Sequence, residues 1–470
     1  MSVRLDPDRY FPADDRQRGI ARELFAGIEN LPIISPHGHT DPAWFAYDQP
    51  FEDVVSLLLW PDHYLLRMLH GAGVALESIG LTPRDGKGAV ETDRRKIWKR
   101  FADNYYIFRG TPSRAWLDHT FIEVFGLDRA FGPDTADYYY HAINAKLKEP
   151  DFRPRALFAR FNIEVIATTE HSLDPLKDHD AIKASGWNGR VVTTFRPDEL
   201  TDPDHEHFAA SLQKLGEITG EDTESWKGYL RGIENRRAFF RAHGATATDH
   251  GHPTAQTSDM SAADAAALFA KVSKGQASAA ERETFRGQML TEMARMSVED
   301  GMVMQIHPGC WRDHNAELHR RFGRNIGGDM PAVGAFMGQL KPLLDRFGNR
   351  SDFTFLLFTL DETTYARELA PLAGHYPCLK LGPAWWFHDS PEGMMRYRRQ
   401  TTESAGFYNT AGFNDDTRAF LSIPARHDLA RRIDCAYLAE LVAQGRLPLD
   451  EAHAVARDLT YNLPKKVYKL

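Results

Sequence analysis

Cysteine is scarce in this chain, whose 470 residues include only three. Cys310, Cys378 and Cys435 are widely separated along the sequence and odd in number. That distribution provides neither a disulfide framework nor a thiolate zinc motif. It favours a protein of a reducing cytoplasm.

Long apolar runs and an excess of basic charge are also missing. The longest strongly apolar run, residues 54–60, is far too short to cross a bilayer. Residues 1–6 lack the apolar stretch of a signal peptide. The formal net charge of −8 argues against nucleic acid or an anionic membrane as a partner, although it leaves room for a local basic pocket. We therefore expect a soluble cytoplasmic protein that binds neither nucleic acid nor a membrane.

Short β-type runs alternate with helical or loop-rich stretches along most of the chain. Several runs are rich in Val, Ile, Thr and Phe, as strands are, and an apolar content of 42% supports a real core. Strand–helix alternation repeated eight times predicts a (β/α)8 barrel of the α/β class. The fourth and eighth runs are the weakest. The eight runs are residues 31–36, 163–168, 190–195, 244–248, 301–306, 352–359, 377–381 and 408–413.

Two intervals are too long to be simple crossovers between neighbouring strands. Residues 40–162 contain apolar helical patterns at 51–70 and 114–126, and residues 253–298 contain two further helical segments. We interpret both as helical insertions, after the first strand and between the fourth and the fifth. No Gly/Ser linker, low-complexity tract or repeat marks an independent unit, so residues 1–470 are predicted to form a single barrel domain.

Two histidines one residue apart, His37 and His39, follow the first run directly. At the end of a strand, residues two apart point to the same side, so this pair would aim two imidazoles at one point. A metal or a polar substrate requires such an arrangement. The alternative is a surface turn, since Pro36, Gly38 and Pro42 are loop formers.

Titratable side chains follow seven of the eight runs, and two indoles follow the remaining one. Because barrel active sites lie at the carboxyl ends of the strands, we expect these side chains to converge. Each of them alone could be an ordinary loop or packing residue. Beyond the first histidine pair they are Glu170, His171, Arg196, Asp198, Asp249, His250, His252, His307, Asp361, Glu362, Trp385, Trp386, Asp415, Asp416 and Arg418.

Paired imidazoles, a third histidine and a carboxylate suit a borderline cation such as zinc. Asp416 could also accept protons, because a metal and a neighbouring arginine would stabilise its charged form. Arg196 and Arg418 supply positive charge suited to a substrate carboxylate or a developing enolate oxygen. The metal-ligand candidates are His37, His39, His307 and Asp416.

One further cluster of polar side chains lies in the first insertion. Asp62 is a plausible helix N-cap, and His63, Tyr64 and Arg67 would lie near one another at helical spacing. Without other information, an amphipathic surface helix is the favoured interpretation of this cluster.

Several short motifs occur in a fixed order nearly from end to end of the chain. They are His37-x-His39, Asp62-His63-Tyr64, Thr168-Thr169, Thr194-Phe195-Arg196-Pro197-Asp198, Asp249-His250-Gly251, Met304-Gln305-Ile306-His307, Trp385-Trp386-Phe387, Asp415-Asp416-Thr417-Arg418, Phe420-Leu421-Ser422, Arg426-His427 and Arg431-Arg432-Ile433-Asp434-Cys435. In this order they resemble the uronate isomerases (glucuronate isomerases), an outlying branch of the amidohydrolase superfamily.

The resemblance implies an aldose–ketose isomerase that converts D-glucuronate to D-fructuronate and D-galacturonate to D-tagaturonate. It implies no organic cofactor, and one divalent metal, often zinc, held by the His-x-His pair and Asp416. It also implies a role in bacterial hexuronate catabolism, and we expect a homo-oligomer. The predicted catalytic residues are Asp416, Arg418, Tyr64 and His63. The predicted substrate-binding residues are Arg196, Arg67, Trp385, Trp386, His307, Asp249 and His250.

The chain departs from the usual pattern of this family at several positions. Family members usually carry Asp-Asp where this chain has Glu170 and His171, an Asn near Asp361, and Ser at Thr417. The residues before the first histidine are commonly Asp-Tyr, here Ser-Pro. These differences do not change the reaction class that the resemblance implies. They do not determine which uronate epimer the protein prefers.

The expected chemistry is a proton-transfer isomerisation. Asp416 would help to open the sugar ring, and a base would remove the C2 proton to give an enediol, with Tyr64, His63 and Arg418 as the available participants. Trp386 would exclude water. A hydride shift is the alternative route.

Two other classes of function stay open from the sequence. One is a metal-dependent hydrolase of a sugar-acid lactone or amide, which would use the same strand-end ligands. Against it, no lysine ends the fourth strand to bridge two metals. The other is a catalytically silent uronate-binding protein on the same fold.

Overall fold

A parallel β-sheet of seven strands lies at the centre of the computed structural model, which describes residues 3–470. In spatial order, and numbered along the chain, the strands are β1 (Ile33–Ser35), β2 (Ile163–His171), β3 (Arg190–Arg196), β4 (Ala247–His250), β5 (Val303–Ile306), β8 (Phe355–Leu357) and β9 (Leu379–Leu381). Each overlaps one of the first seven predicted runs. The prediction of an α/β protein is therefore confirmed.

A short antiparallel hairpin, absent from the sequence prediction, lies between the fifth and sixth strands of this sheet. It pairs β6 (Cys310–Trp311) with β7 (Met330–Pro331). Each strand has only two residues, so neither shows an alternating pattern that sequence reasoning could detect.

Helices occupy the intervals between the strands, including both intervals predicted to hold insertions. Before β2 they are α1 (Asp15–Ala26), α2 (Pro42–Tyr47), α3 (His63–Gly71), α4 (Arg94–Asp103), α5 (Pro112–His119), α6 (Ala136–Lys146) and α7 (Pro154–Arg160). Between β2 and β5 they are α8 (Lys177–Ala184), α9 (Asp198–Thr201), α10 (Phe208–Thr219), α11 (Trp226–Ala242), α12 (Ala262–Val272) and α13 (Ala279–Asp300). The remainder are α14 (Ala316–Phe322), α15 (Phe336–Gln339), α16 (Lys341–Phe347), α17 (Ala370–His375), α18 (Pro391–Ala405), α19 (Ile423–Ala443), α20 (Leu449–Arg457) and α21 (Leu463–Tyr468). No helix within residues 3–470 is both long and apolar enough to span a membrane.

Local sequence signals set the ends of these elements. Helix α13 begins with a capping box, in which Ser278 and Glu281 satisfy each other's backbone N–H groups. It ends at Gly301, whose φ of +80° turns the chain into β5. All residues of β5 and β8 are buried, as expected for parallel strands that are covered on both faces.

The eighth predicted run, residues 408–413, forms a single bridge between Thr410 and Leu381 and no regular strand. Gly412, with a φ of +75°, interrupts the extended backbone that a longer strand would need. The chain that follows runs beside the end of β1, where the Asp416 N–H donates to the His37 carbonyl (3.3 Å) and the His39 N–H donates to the Thr417 carbonyl (3.0 Å). These bonds join the first and last parts of the sheet region at its carboxyl edge.

A buried arginine fixes the approach of the chain to β1. Arg431 of α19 donates to the backbone carbonyls of Glu29 (2.8 Å), Leu31 (2.8 Å) and Pro32 (3.1 Å). Buried carbonyls need a donor, and a charged donor makes the stronger bond. The guanidinium therefore anchors the segment that leads to His37.

We expect Arg431→Met to lower the free energy of unfolding by about 3 kcal/mol, because it leaves these carbonyls without a donor. Urea unfolding followed by circular dichroism measures the change. Arg446→Met is the matched control, since Arg446 pairs with Glu403 on the surface and such pairs contribute less than about 1 kcal/mol. Equal effects of the two substitutions would contradict the anchoring role.

Candidate active site

A cavity of about 850 Å³ opens at the carboxyl ends of the strands. Titratable and aromatic side chains from distant parts of the chain line it, as the sequence predicted for this edge of the sheet. The predicted site residues found in its wall are His37, His39, His63, Tyr64, Arg196, Asp249, His307, Trp385, Trp386, Asp416 and Arg418.

Two imidazoles and a carboxylate meet at the bottom of this cavity. One ligand atom each from His37, His307 and Asp416 lies within 4.8 Å of the other two. His39 lies beside this group, with its Nε2 3.1 Å from Asp416 Oδ1, but outside that mutual distance. Burial lowers the pKa of His37 to about 4, so its ring is neutral and can ligate a metal. Three of the four predicted ligands therefore form a compact cluster, and the fourth borders it.

A hydrogen-bonded pair orients His307 toward this cluster. The His307 Nδ1 lies 2.6 Å from Asp249 Oδ1, and Arg196 Nη1 lies 3.0 Å from Asp249 Oδ2. Burial opposes the ionisation of Asp249, but Arg196 and His307 hold its pKa well below the ordinary value. The ionised carboxylate accepts the Nδ1 proton, which leaves the buried His307 Nε2 as a lone-pair donor without a partner in residues 3–470.

Asp416 lies at the centre of the site and is held by an indole. The Trp385 Nε1–H donates to Asp416 Oδ2 at 2.6 Å. Burial opposes the ionisation of Asp416, but His37 and His39 outweigh it and keep the pKa of this carboxyl below its ordinary value. Its backbone is left-handed, with a φ of +40°, and so is that of Trp386, at +50°. Non-glycine residues in this conformation carry backbone strain, which tends to occur at functional sites.

The first turn of α3 supplies two side chains to the cavity. The Asp62 carboxylate caps the helix by accepting the N–H groups of Tyr64 (2.9 Å) and Leu65 (3.3 Å), as the sequence predicted. The rings of His63 and Tyr64 stack with centroids 4.6 Å apart, and Trp386 packs on His63 at 4.9 Å. Burial, with Arg418 nearby, lowers the pKa of His63 to about 3, so this imidazole is neutral.

The two predicted arginines differ in how fully they are paired. Arg196 contacts two carboxylates, Asp249 and Asp198 (2.8 Å). Arg418 donates to the Asn325 amide oxygen (3.1 Å), and within residues 3–470 it has no carboxylate oxygen within 4 Å. Burial and the charge of Arg196 lower the pKa of Arg418, but a guanidinium stays protonated at neutral pH. Arg418 is therefore the cation with free capacity for an anionic substrate.

Comparison with known proteins identifies the family. The model of the family described as glucuronate isomerase matches residues 15–468. The chain belongs to this family. A uronate isomerase from Phenylobacterium zucineum is 60% identical over 468 residues, covering 100% of this chain and 97% of that protein. A second uronate isomerase, from Rhizorhabdus wittichii, is 61% identical over 100% of this chain and 99% of its own length.

Solved structures of the family agree with this assignment. The crystal structure of glucuronate isomerase from Caulobacter crescentus has a TM-score of 0.98 at 55% identity, covering 100% of this chain and 98% of that one. Uronate isomerase from Thermotoga maritima has a TM-score of 0.91 at 26% identity, covering 99% of this chain and all of that one. The sequence prediction of a uronate isomerase, an enzyme, is confirmed. The silent binding protein is not supported.

The hydrolase alternative is not favoured by these comparisons. A putative metal-dependent hydrolase from Lactobacillus casei shares the fold with a TM-score of 0.53, at 13% identity over 95% of this chain and 97% of that one. At that identity the likeness concerns the fold alone. The named relatives at high identity are all isomerases.

Two predicted substrate-binding residues do not line the cavity. The His250 ring lies against Thr248, with its Nε2 3.1 Å from the threonine hydroxyl, because successive residues of β4 point to opposite faces and Asp249 takes the inner one. The Arg67 guanidinium packs over the Phe387 ring at 5.1 Å, one turn along α3 from His63. Their role in binding substrate stays a prediction.

The sequence reasoning did not single out several residues that the structure brings to the cavity. The segment between β5 and β7 contributes Arg312, Asp313, Arg324, Asn325 and Asp329, and α19 contributes Arg426. Because this segment follows the strand that ends at His307, its position along the sequence could have indicated that it lies at the cavity. Arg426 had only its motif, Arg426-His427, to indicate it.

Proposed function

We propose that this enzyme interconverts D-glucuronate with D-fructuronate, and D-galacturonate with D-tagaturonate, by proton transfer through an enediol. The observation that supports it most is the position of Asp416, an ionised carboxylate beside His39 in a cavity wall that also holds Arg196 and Arg418. A proton acceptor beside positive charge is what the formation of an enediolate requires.

We propose that the His37, His307 and Asp416 cluster, with His39 beside it, holds one divalent metal, zinc in particular. Neutral imidazoles and a carboxylate are ligands that zinc takes, and the orphaned His307 Nε2 fits this donor set. The Asp249–His307 bond is the outer-shell contact that orients metal-binding histidines. When bound, the ion would polarise a sugar oxygen. We propose no organic cofactor.

Ring opening comes first, because uronic acids exist mainly as closed hemiacetals. Asp416 takes the proton of the C1 hydroxyl as the bond between C1 and the ring oxygen breaks, and then delivers that proton to the ring oxygen. The Trp385 indole donates to Asp416 Oδ2 and so fixes the orientation of the carboxylate, whose Oδ1 lies 3.1 Å from His39 Nε2. A fixed orientation of the acceptor lowers the entropic cost of the transfer.

The second step moves a proton from C2 to C1 of the open aldehyde, while the proton of the C2 hydroxyl passes to the C1 oxygen. We assign this transfer to the His63–Tyr64 pair, whose stacked rings line the cavity and in which the buried His63 Nε2 has no partner within residues 3–470. The negative charge develops on the enediol oxygens, where Arg418 stabilises it. Trp386 packs over His63 and excludes water from the reacting carbons.

Binding of the C6 carboxylate falls to the arginines of the cavity. Arg418 has free N–H donors for this carboxylate. Arg196 is paired with Asp249 and Asp198, so it contributes positive charge to the cavity without a free donor set. A guanidinium matches a carboxylate in a two-point contact.

The wider predictions belong to the same proposal. We propose that the sheet is part of a single (β/α)8 barrel domain with the two helical insertions, supported by the Thr410 bridge and by the backbone bonds between residues 37–39 and 416–417. We propose a homo-oligomeric cytoplasmic enzyme without nucleic-acid or membrane partners. The free, buried cysteines and the net charge of −8 support this location and this choice of partner.

A proton NMR time course of the purified, metal-replete protein in D2O tests the function. With D-glucuronate and D-galacturonate, we expect each ketose to appear with deuterium gained at C1. Complete retention of deuterium from C2-labelled substrate at C1, without solvent exchange, would contradict the proton route and favour a hydride shift. No conversion of either sugar would overturn the proposed function.

Asp249→Asn provides a test of the metal site itself. An amide cannot hold the His307 Nδ1 proton as a carboxylate does, so we expect about 10–100-fold weaker zinc binding. Titration against a chelator of known affinity measures the change. Asp361→Asn, in the loop four residues after β8 and outside the cavity wall, is the matched control and should bind zinc as the unaltered protein does. Unchanged affinity in Asp249→Asn would contradict the orienting role.

A further inference from the structure

Arg426 is a buried cation at the wall of the cavity for which the proposed chemistry has no direct use. It lies in the first turn of α19 and is only 2% exposed. Its Nη1 contacts Asp389 Oδ2 at 2.5 Å, and its Nε contacts the Ser422 hydroxyl at 3.1 Å. Burying a charge is costly unless it is paired, so a retained buried arginine calls for a reason.

The guanidinium lies against Tyr64, one of the two side chains to which the proposed proton transfer is assigned, and against Trp116. It stacks over Trp116 with its central carbon 3.6 Å from the ring centroid, and it lies 5.6 Å from the Tyr64 centroid. Trp116 in turn meets Tyr64 edge-to-face at 5.7 Å. Tyr64 thus contacts both members of a stacked cation–indole pair, Arg426 and Trp116.

The same arginine connects two further segments of the site. Asp389 directly follows the helical turn of Trp386, and its N–H donates to the Trp386 carbonyl at 3.0 Å. The Arg426 Nη1 also reaches the carbonyl of Asp415, the residue before Asp416, at 3.4 Å. One side chain therefore touches the α3 turn, the Trp386 turn and the Asp416 loop, which no backbone hydrogen bond joins to one another in the described chain.

We infer that Arg426, oriented by Asp389, is a positioning residue that holds the Tyr64 ring in the geometry needed for proton transfer. This rests on the proposed function, in which Tyr64 acts on the substrate. Arg426 itself touches neither the reacting carbons nor the histidine cluster. Its effect on the reaction passes through Tyr64.

A double-mutant cycle separates positioning from simple core packing. We expect Arg426→Met to lower kcat about 100-fold while KM changes less than about threefold, because the substrate contacts stay in place. Arg426→Lys keeps the charge against the rings and should recover about tenfold of that loss. Added to Tyr64→Phe, Arg426→Met should cost less than a further threefold or so, since the hydroxyl it positions is gone.

Arg398→Met is the control for loss of a buried ion pair on the same helix interface. Arg398 of α18 is 5% exposed and makes a two-point contact with Asp434 of α19 (2.6 and 2.9 Å), away from the cavity. We expect it to lower the unfolding temperature as Arg426→Met does, with kcat within about twofold of the unaltered enzyme.

The outcomes are distinct. Additive losses in the Tyr64→Phe background, or an equal fall of kcat in Arg398→Met, would overturn the positioning role while the unaltered enzyme still isomerises uronates. Absence of uronate turnover by the unaltered enzyme would overturn the proposed function, and with it this inference.

Discussion

Asp416→Asn is expected to lower kcat for D-glucuronate by about 10³-fold, which is the usual scale for loss of a general base. The substitution keeps the shape of the side chain but removes the proton acceptor that lies 3.1 Å from His39 Nε2. It also removes the negative charge that the neighbouring imidazoles stabilise. A coupled assay of ketose formation at saturating substrate measures the change.

Metal content decides how that loss is interpreted, because Asp416 is also a proposed ligand. Zinc measured by mass spectrometry on the same samples separates a lost base from a lost ion. Asp361→Asn, outside the cavity wall, should retain kcat within about twofold. A kcat for zinc-replete Asp416→Asn within tenfold of the unaltered enzyme would exclude Asp416 as the base.

Arg418→Met is expected to raise KM for D-glucuronate about 100-fold and to lower kcat/KM by about 10³-fold. The guanidinium has no carboxylate partner within residues 3–470, so the substrate carboxylate and the enediolate are the anions left for it. Removing it should leave the fold intact, since within residues 3–470 its side chain donates only to the Asn325 amide oxygen. Steady-state kinetics give both constants.

A neutral aldose serves as the internal control for charge recognition. The unaltered enzyme should prefer D-glucuronate strongly over D-glucose, and Arg418→Met should lose most of that preference. Arg190→Met, at the opposite end of the strand that carries Arg196, should change neither constant. A preserved preference in Arg418→Met would assign the carboxylate to Arg196.

Sequence reasoning was most successful where the chemistry of the site coincides with the ends of strands. His37 and His307 each follow a run whose apolar, β-branched pattern marks it as a buried strand, and parallel strands bring their carboxyl ends to one edge. Asp249 and Asp416 follow the two weakest runs, of which only the one before Asp249 overlaps a regular strand. A run that predicts a strand therefore also predicts where the side chain at its carboxyl end will lie. Seven of the eight runs are strands for the same reason.

Other features of the site depend on strand register and on long-range packing, which a short stretch of sequence does not specify. His250 was grouped with Asp249, but the two-residue period of a strand places them on opposite faces, and only a known register says which is inside. The hairpin of β6 and β7 is too short to have a period. The contact of Arg426 with Tyr64 joins residues far apart in sequence, and no local pattern specifies such packing.

The left-handed backbone of Asp416 and Trp386 has a consequence for how this sequence can change over generations. Glycine adopts that conformation without strain, so replacement of either residue by glycine would relieve backbone strain of about 1 kcal/mol or more. At Trp386 the packing of the buried indole outweighs that relief, whereas at Asp416 selection for folding alone would favour glycine. Persistence of Asp416 in a lineage would record continued demand for catalysis, and a paralogue with glycine there would mark a copy that had left this chemistry while keeping its fold.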